Sequence, residues 1–563
     1  MVMVDLKWNS SSPFIIINLL FKPSWICLLL FAKTYQFTLK TPLNCNHDEE
    51  SSGVVGGMND LASLHLLDCQ EIECILDFKE DALIMRLVEL RLSFMNNLTD
   101  LYRGPPLQVL RYFEKLELLD IQICMQLHVI FPRECKLQNL KILRLSDCKT
   151  NEVLFSASVA QSLQQLEELR ICGCNELKHI IAASEEIIPT PLNSHFLMNN
   201  LRDVDISYCQ SLESIFPICY VKGLTLLKQL FISYSPNLKF VFGECDYKSL
   251  SLHQYKNQVM LPHLEHLNLI SLDNLIGMCL ENCQAQWPSQ SMSVISIQGC
   301  PKLAKPWFSL KVGHDQKRYR PIENPPSNLI LLRLIGFPEL HSISWVGPAQ
   351  QIWNFQCLKH LIVGNCENLQ CLLSMETHRS LPELISFEVY NCQKLEQVVE
   401  ADEELVEIPN AELYFPKLEH IKVYNCNKLK SLFPFAMVTM LPQLSTLEIA
   451  KSTLLKEVFS HGTGDDIINE IQVPLPNLTK IAFDDLPNFV DICRGCNLYI
   501  FKLRQLNISN CPKTGPTLRK IQVTFLPFLL VLIMNSNRLF ECTWCEDSSS
   551  SDEDFLILLL IRM

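Results

Sequence analysis

One short pattern recurs along most of the chain and restricts it to an architecture of stacked repeats. A leucine at position 1 is followed by apolar residues at positions 4 and 6, a small residue at position 9 and a leucine at position 12. The copy that begins at Leu418 has Ile421, Val423, Cys426 and Leu429 at those positions. Such a fixed internal period indicates a chain that folds by stacking one small unit on the next.

Sixteen copies, numbered repeats 1 to 16 below, follow one another with spacings of 24 to 37 residues. The shorter spacings fit the leucine-rich repeat length of about 20–29 residues, and the longer ones require insertions. Apolar positions 4 and 6 alternate with polar positions 3, 5 and 7, which predicts a strand with one buried face. The repeats begin at Leu61, Leu87, Leu116, Leu140, Leu166, Leu201, Leu227, Leu264, Met292, Leu329, Leu358, Leu384, Leu418, Leu444, Leu478 and Leu503.

We therefore predict an α/β fold, a leucine-rich-repeat solenoid shaped as a horseshoe or arc, with a parallel β-sheet on its concave face. One repeat cannot bury its apolar residues alone, so stability comes from contacts between neighbouring repeats. The predicted divisions are a poorly defined apolar N-terminal segment (1–53), the solenoid (54–523) and an acidic, serine-rich tail (524–563) for which disorder is expected.

Position 9 is cysteine in ten of the sixteen repeats, although the whole chain has 25 cysteines. This regular placement indicates packing inside a turn rather than a disulfide framework. A thiol or hydroxyl at this position is predicted to bond a carbonyl or amide of the turn. Reduced thiols favour a cytoplasmic or nuclear protein. The ten residues are Cys69, Cys124, Cys148, Cys174, Cys209, Cys300, Cys366, Cys392, Cys426 and Cys511.

The net charge argues against nucleic acid as a partner, and the apolar N-terminal stretch does not read as a membrane span. The net charge of −13 argues against nucleic acid, whose phosphates require a basic surface. The apolar stretch Phe14 to Ala32 is divided by Lys22 and Pro23, so a membrane span is not expected. The stretch also lacks the features of a secretory signal, and a secreted or anchored protein is the less favoured interpretation.

The long repeats carry insertions, several of them acidic. Solvated loops are the favoured interpretation, and contact loops for a basic partner are the alternative. The insertions fall at about 181–200, 243–262, 304–327, 399–416 and 460–477.

Exposed aromatic and basic residues form the candidate binding site. Aromatic side chains on a rigid concave sheet are typical anchors for protein partners. The alternative is that these side chains stack across strands and only stabilise the sheet. The predicted partner-binding residues are Tyr390, Tyr424, His360, His420, Lys422, Phe231, Tyr208 and Tyr234.

Charges at position 5 are predicted to pair with their neighbours across adjacent strands, and so to satisfy one another. The expected pairs are Asp120 with Arg144, Arg170 with Asp205, and Glu388 with Lys422.

Catalytic and metal-binding motifs are missing from the sequence, so no catalytic residue, cofactor or metal is predicted. Neither a nucleophile-elbow motif nor a zinc-protease motif nor a phosphate-binding loop occurs. The pairs Cys493/Cys496 and Cys542/Cys545 lie too far apart for the usual zinc spacings.

Residues 415–434, 87–105 and 166–181 resemble the leucine-rich region of plant nucleotide-binding leucine-rich-repeat disease resistance proteins of the coiled-coil class. The resemblance covers about 54–523 and rests on the Cys-x-x-Leu-x-x-Leu/Ile/Val-Phe run and the alternating long repeats. It implies recognition of pathogen effectors or effector-modified host proteins. The family's nucleotide switch is not found in this sequence, since Asn46-His47-Asp48 lacks the context of its Met-His-Asp motif. No bound nucleotide is therefore implied.

The predicted function is a non-catalytic protein-recognition module in plant defence. Its partner would be a pathogen effector, a guarded host protein, or a nucleotide-binding module supplied by another chain. One alternative is a substrate adaptor for ubiquitin ligation or another interaction scaffold, although residues before Leu61 do not read as an F-box. Another is an extracellular receptor ectodomain, whose plant members carry a Leu-x-Gly-x-Ile-Pro signature that is not evident here.

Overall fold

The computed structural model describes most of the repeat region in two compact units, Met1–Ala285 and Gln286–Met563. The apolar segment Phe14 to Ala32, the second cysteine pair Cys542/Cys545 and most of each predicted insertion lie outside the described residues. These residues are 38–40, 63–70, 72–77, 87–103, 113–132, 134–182, 198–244, 261–279, 291–303, 328–338, 340, 342–343, 355–373, 381–399, 415–460, 471–494, 496–514, 522–523, 531–534 and 558–561.

Every one of the sixteen repeats forms a five-residue strand that starts at position 3 and ends at position 7, which confirms the predicted leucine-rich-repeat fold. Positions 4 and 6 are buried in every strand except the first, where Leu64 at position 4 is half-buried, because the pleat turns alternate side chains to the core. The strands are Ser63–Leu67, Glu89–Ser93, Leu118–Gln122, Ile142–Ser146, Glu168–Cys172, Asp203–Ser207, Gln229–Ser233, His266–Ile270, Val294–Gln298, Leu331–Ile335, His360–Gly364, Ser386–Tyr390, His420–Tyr424, Thr446–Ala450, Lys480–Asp484 and Gln505–Ser509.

Within each unit these strands pair in parallel with no register shift, so equal repeat positions stand side by side. In the first unit, Ser63–Leu67 also pairs antiparallel with Thr38–Lys40. In the second unit, Gln505–Ser509 is followed by parallel strands at Val531–Met534 and Leu558–Ile561. We call the surface made by positions 3, 5 and 7 the open face of each unit.

The return segment of most repeats contains a second strand of two to five residues that the sequence analysis did not predict. In the first unit these strands are Cys74–Asp77, Asp100–Arg103, Val153–Phe155, His179–Ile181, Ser214–Pro217, Phe240–Gly243 and Gly277–Cys279. In the second unit they are Ser342–Ile343, Cys371–Leu373, Gln397–Val399, Phe433–Pro434, Glu457–Ser460, Ile471–Pro474, Asp491–Cys493, Cys496–Ile500 and Gln522–Val523.

Helices are short and few in the described part of the chain. One α-helix spans Ala157–Ser162, and the Ser156 hydroxyl caps it by accepting a hydrogen bond from the Val159 amide. Two 3₁₀ helices span Ile218–Gly223 and Phe435–Met440. The β-rich return segments bury apolar side chains, among them the stacked rings of Phe433 and Phe459 at 5.8 Å.

The turn after each repeat strand depends on position 8, a feature that the sequence analysis missed. All sixteen position-8 residues have positive φ, between 49° and 78°. Asparagine, aspartate and glycine adopt this left-handed conformation most readily. The conformation turns the chain, so that the next side chain, at position 9, enters the core in every repeat except repeat 10, whose Phe337 is half-buried.

Position 9 then closes the turn as predicted. All ten cysteines at this position donate from Sγ to the position-7 carbonyl of the same repeat, at 3.1 to 3.7 Å. Ser235 and Ser452 make the same bond, and each also accepts from the position-9 amide of the preceding repeat. Burial raises the pKa of Cys124 and Cys426 to about 11, so these thiols are protonated at neutral pH.

Candidate functional site

Five of the eight predicted partner-binding residues lie together on the open face of repeats 11 to 13. At position 3, His360 and His420 are both in register with Ser386, one on each side. At position 7, Tyr390 is in register with Tyr424. Lys422 stands between His420 and Tyr424 on the same strand. Regular parallel pairing therefore brings residues distant in sequence onto one surface about three strands wide.

The two tyrosines of this cluster make different contacts. The ring of Tyr390 lies over Gly364 of the preceding repeat, so closely that a β-carbon on Gly364 would collide with it. The ring of Tyr424 lies under the ammonium group of Lys451, which is 5.2 Å from the ring centroid. Tyr424 remains 42% exposed. Tyr424 thus presents an aromatic surface beside a cation, whereas Tyr390 is half-buried.

The histidines make hydrogen bonds to serines. Nδ1 of His360 lies 2.8 Å from Oγ of Ser386, and Nδ1 of His420 lies 3.4 Å from Oγ of Ser445. Burial lowers the pKa of His360, and the charge of Lys359 lowers it further. His360 is therefore a neutral hydrogen-bonding group at neutral pH.

Lys422 does not pair with Glu388, although the two residues are in register as predicted. It instead lies 3.7 Å from Glu448 on the other neighbouring strand. Lys480 contacts the same carboxylate at 2.6 Å, so Glu448 is shared by two cations. Glu448 thus lies between lysines on both of its neighbouring strands, and Lys422 pairs with Glu448 rather than with Glu388.

The two charge pairs predicted in the first unit are also wrong. Arg144 and Arg170 both contact Glu168, each at 2.7 Å, rather than pairing with Asp120 and Asp205. Glu168 stands at position 3, where its longer side chain reaches both guanidinium groups. Asp120 is buried and accepts a hydrogen bond from Gln122.

The remaining predicted residues form a separate aromatic group in repeats 6 and 7. Phe231 lies at position 5 on the open face, half-buried and in register with Asp205. Tyr208 and Tyr234 lie at position 8, one residue beyond their strands, so they stand on the turns rather than on the sheet. Their rings stack at 4.7 Å and are 50% and 43% exposed.

Sequence reasoning missed Arg333, at position 5 of repeat 10. Its neighbours in register are Ser296 and Ile362, which carry no charge. Its buried Nε has no hydrogen-bond partner. The signal was available, because the alignment of repeats that placed Glu388 beside Lys422 also places Arg333 between these two uncharged residues.

Two further findings concern cysteines and membranes. The ten position-9 cysteines are thiols, whereas Cys493 of the first Cys-x-x-Cys pair is disulfide-bonded and has no thiolate to offer a metal. Among the described residues, no group of three potential metal ligands occurs. The same part of the chain has no helix of the length and apolarity that crossing a bilayer requires.

Solved structures similar to this chain have low sequence identity and low TM-scores. The functional domain of InlJ from Listeria monocytogenes, described as including a cysteine ladder, is 14% identical with a TM-score of 0.30, over 85% of this chain and 69% of that one. A Drosophila Toll–Spatzle complex is 12% identical with a TM-score of 0.44, over 92% and 70%. LIC12759 of Leptospira interrogans, a leucine-rich-repeat protein, is 15% identical with a TM-score of 0.31, over 67% and 86%.

Sequence comparison identifies a family. No curated protein matches the chain. The family described as plant disease resistance protein RPS2-like, leucine-rich repeats, matches residues 176–316, 308–393 and 394–515. These matches span more than half of the 563 residues and cover most of the repeats described above. The repeat fold and the family together point to a non-catalytic protein-interaction module, and the chain belongs to the RPS2-like leucine-rich repeats of plant disease resistance proteins.

Proposed function

We propose that the chain is a recognition module of plant defence that binds a protein through the open face of repeats 11 to 14. The observation that carries this proposal is Tyr424, an exposed aromatic ring held on a rigid sheet beside the ammonium group of Lys451. Tyrosine is over-represented among the residues that dominate protein–protein binding.

The sheet supports this role because it is pre-organised. Each strand from repeat 11 to repeat 14 pairs with both of its neighbours in unbroken register. The turns are closed by position-9 side chains, so binding would require little ordering of the backbone. A rigid surface loses less conformational entropy on binding than a loop does.

The family supports the choice of partner. Its name ties the repeats to disease resistance, and a recognition role there requires contact with a pathogen effector or with a host protein that the effector alters. A nucleotide-binding module on another chain is the remaining candidate partner. Output would then come from that second protein, since the repeats contribute a surface and no chemistry.

The thiols support a reducing compartment, and we place the protein in the cytoplasm. Ten cysteines remain thiols within bonding distance of turn carbonyls, where oxidation would remove the hydrogen bond. Mass-spectrometric thiol labelling of the protein from plant tissue should find these ten cysteines reduced. Oxidised position-9 cysteines would contradict this placement.

The binding proposal is tested with Tyr424→Ala in the full chain, using affinity capture from pathogen-challenged plant tissue with quantitative mass spectrometry. Phe501→Ala is the matched control, because Phe501 is a comparably exposed ring in the same unit but outside the open face. Tyr424→Ala should lose the proteins that the wild type enriches, and Phe501→Ala should retain them. Equal enrichment by all three proteins would contradict the proposal.

A further inference from the structure

Arg333 and Arg91 differ from the other arginines and lysines of the open face because no carboxylate satisfies them. Arg91 has Asp120 beside it in register, whereas both neighbours of Arg333 are uncharged. Arg144 and Arg170 share Glu168, and Lys422 and Lys480 share Glu448. Within the described residues no ion pair or hydrogen bond involves the side chain of Arg333, and its Nε is shielded from solvent without a partner. A shielded, unpaired donor is unfavourable, so its presence on the open face requires an explanation, and an ion or a ligand that pairs with the guanidinium is one.

Apart from Ser296 on the preceding strand, the neighbours of Arg333 on the open face are apolar. Leu331 and Ile335 flank it on its own strand, and Ile362 stands beside it on the next. Ile335 is 4% exposed, and Leu331 and Ile362 are half-buried. An ion pair is stronger where apolar side chains displace water, because the local dielectric is lower.

Tyr390 bounds the same area from the other side. Its ring leans over Gly364, which has no β-carbon to block it, and so extends from repeat 12 towards repeat 10. Burial raises the pKa of Tyr390, the charge of Glu388 raises it further, and the nearby charge of Arg333 partly opposes that rise. The guanidinium of Arg333 and the phenol of Tyr390 therefore face the same area of the sheet, whose surface is formed by Ile362 and Gly364.

We propose that Arg333 anchors an aspartate or glutamate side chain of the partner protein on this area of the sheet. The planar guanidinium offers two parallel N–H donors that match the two carboxylate oxygens. Ile335 and Ile362 would contact apolar residues next to that acid, so the recognised segment carries one acidic residue between apolar ones. This inference rests on the proposed function and names the chemistry of its partner.

The test selects random peptides, displayed on phage, on the immobilised full chain and compares wild type with Arg333→Gln. Wild-type selection should enrich peptides that hold an acidic residue between apolar ones. For the best such peptide, changing the acid to its amide should weaken binding to wild type about tenfold, the size expected for a charge-assisted hydrogen bond. Arg333→Gln should bind the acid and amide forms equally.

Arg91→Gln is the matched control. Arg91 also stands at position 5 with an unpartnered Nε, but it has Asp120 beside it in register. Arg91→Gln should keep the full preference for the acidic peptide, and Arg333→Lys should keep part of it. Thermal unfolding of each variant, followed by circular dichroism, verifies that the repeats are folded.

Three results would overturn the anchor: wild type selects no acidic peptides, Arg333→Gln keeps the preference for the acid, or the preference vanishes when the peptide's C-terminus is amidated. The last result would assign the contact to a terminal carboxylate. Affinity capture of proteins distinguishes failure of the Arg333 anchor from failure of the proposed function. If Tyr424→Ala loses the captured proteins while Arg333→Gln retains them, recognition stands and the anchor does not.

Discussion

The open faces of repeats 4 to 5 and of repeats 10 to 11 share one backbone arrangement and differ in how their charges are satisfied. In the first region, Arg144 and Arg170 both lie 2.7 Å from Glu168. In the second, Arg333 lies between Ser296 and Ile362, and no carboxylate of the described residues is within ion-pair distance of it. Because the strands pair identically, the difference arises from side chains alone.

This difference separates two uses of the same sheet. A charge that is satisfied inside the protein contributes to stability and has little left to offer a partner. A charge that is left unsatisfied weakens the fold slightly and is available for binding, the usual relation between stability and function at binding sites. Mutations in the first region should therefore alter stability, and mutations in the second should alter binding.

The largest stability effect is expected for Glu168→Gln. This change leaves two neighbouring arginines without their shared carboxylate, which is only 15% exposed. We expect a loss of about 2 kcal/mol in unfolding free energy, measured by urea denaturation. Glu396→Gln, at an exposed pair with Lys430, is the control and should change stability by less than about 0.5 kcal/mol. Equal losses of unfolding free energy in the two variants would show that the shared carboxylate of Glu168 contributes no more to stability than an exposed ion pair does.

A smaller effect of opposite sign is expected for Arg333→Met. Methionine fills a similar volume without an unpaired donor, so unfolding free energy should stay level or rise by up to about 1 kcal/mol. Arg144→Met should instead destabilise the protein, because it removes one cation from Glu168. Parallel urea melts make the comparison, and destabilisation by Arg333→Met would show that Arg333 has a structural partner.

Much of this comparison could be predicted from the sequence, because the repeats align position by position. Every strand starts where the alignment places it, and Glu388 stands beside Lys422 as expected. Most of the actual ion pairs could not be predicted. Glu168 at position 3 reaches arginines at position 5, and Glu448 at position 5 reaches Lys480 at position 3, so side-chain length decides these contacts. Lys422 and Glu448 share position 5 and are in register, so the alignment alone leaves Lys422 with a carboxylate on each side. Position 8 was missed because Phe94 and Tyr208 stand there among asparagines, and neither residue type signals a left-handed turn.

The smallest effect concerns Asp205, which borders the satisfied region. Burial raises the pKa of Asp205, and Arg170 opposes the rise. The protonated form is thus favoured by folding, so its stabilising contribution is present below the unfolded pKa and is lost as pH rises through the folded pKa. Asp205→Asn should add a few tenths of a kcal/mol at pH 7 and nothing near pH 3. Urea melts at both pH values measure the difference, and an equal gain at both would contradict it.

Site-specific photo-crosslinking tests the central claim most directly. A benzophenone amino acid replaces Tyr424 on the open face or, in a second protein, Phe501 outside it, and each full chain is irradiated in pathogen-challenged plant cells. We predict a discrete crosslinked protein from position 424 and none from position 501. Crosslinks from position 501 alone, or equally from both, would contradict recognition through the open face.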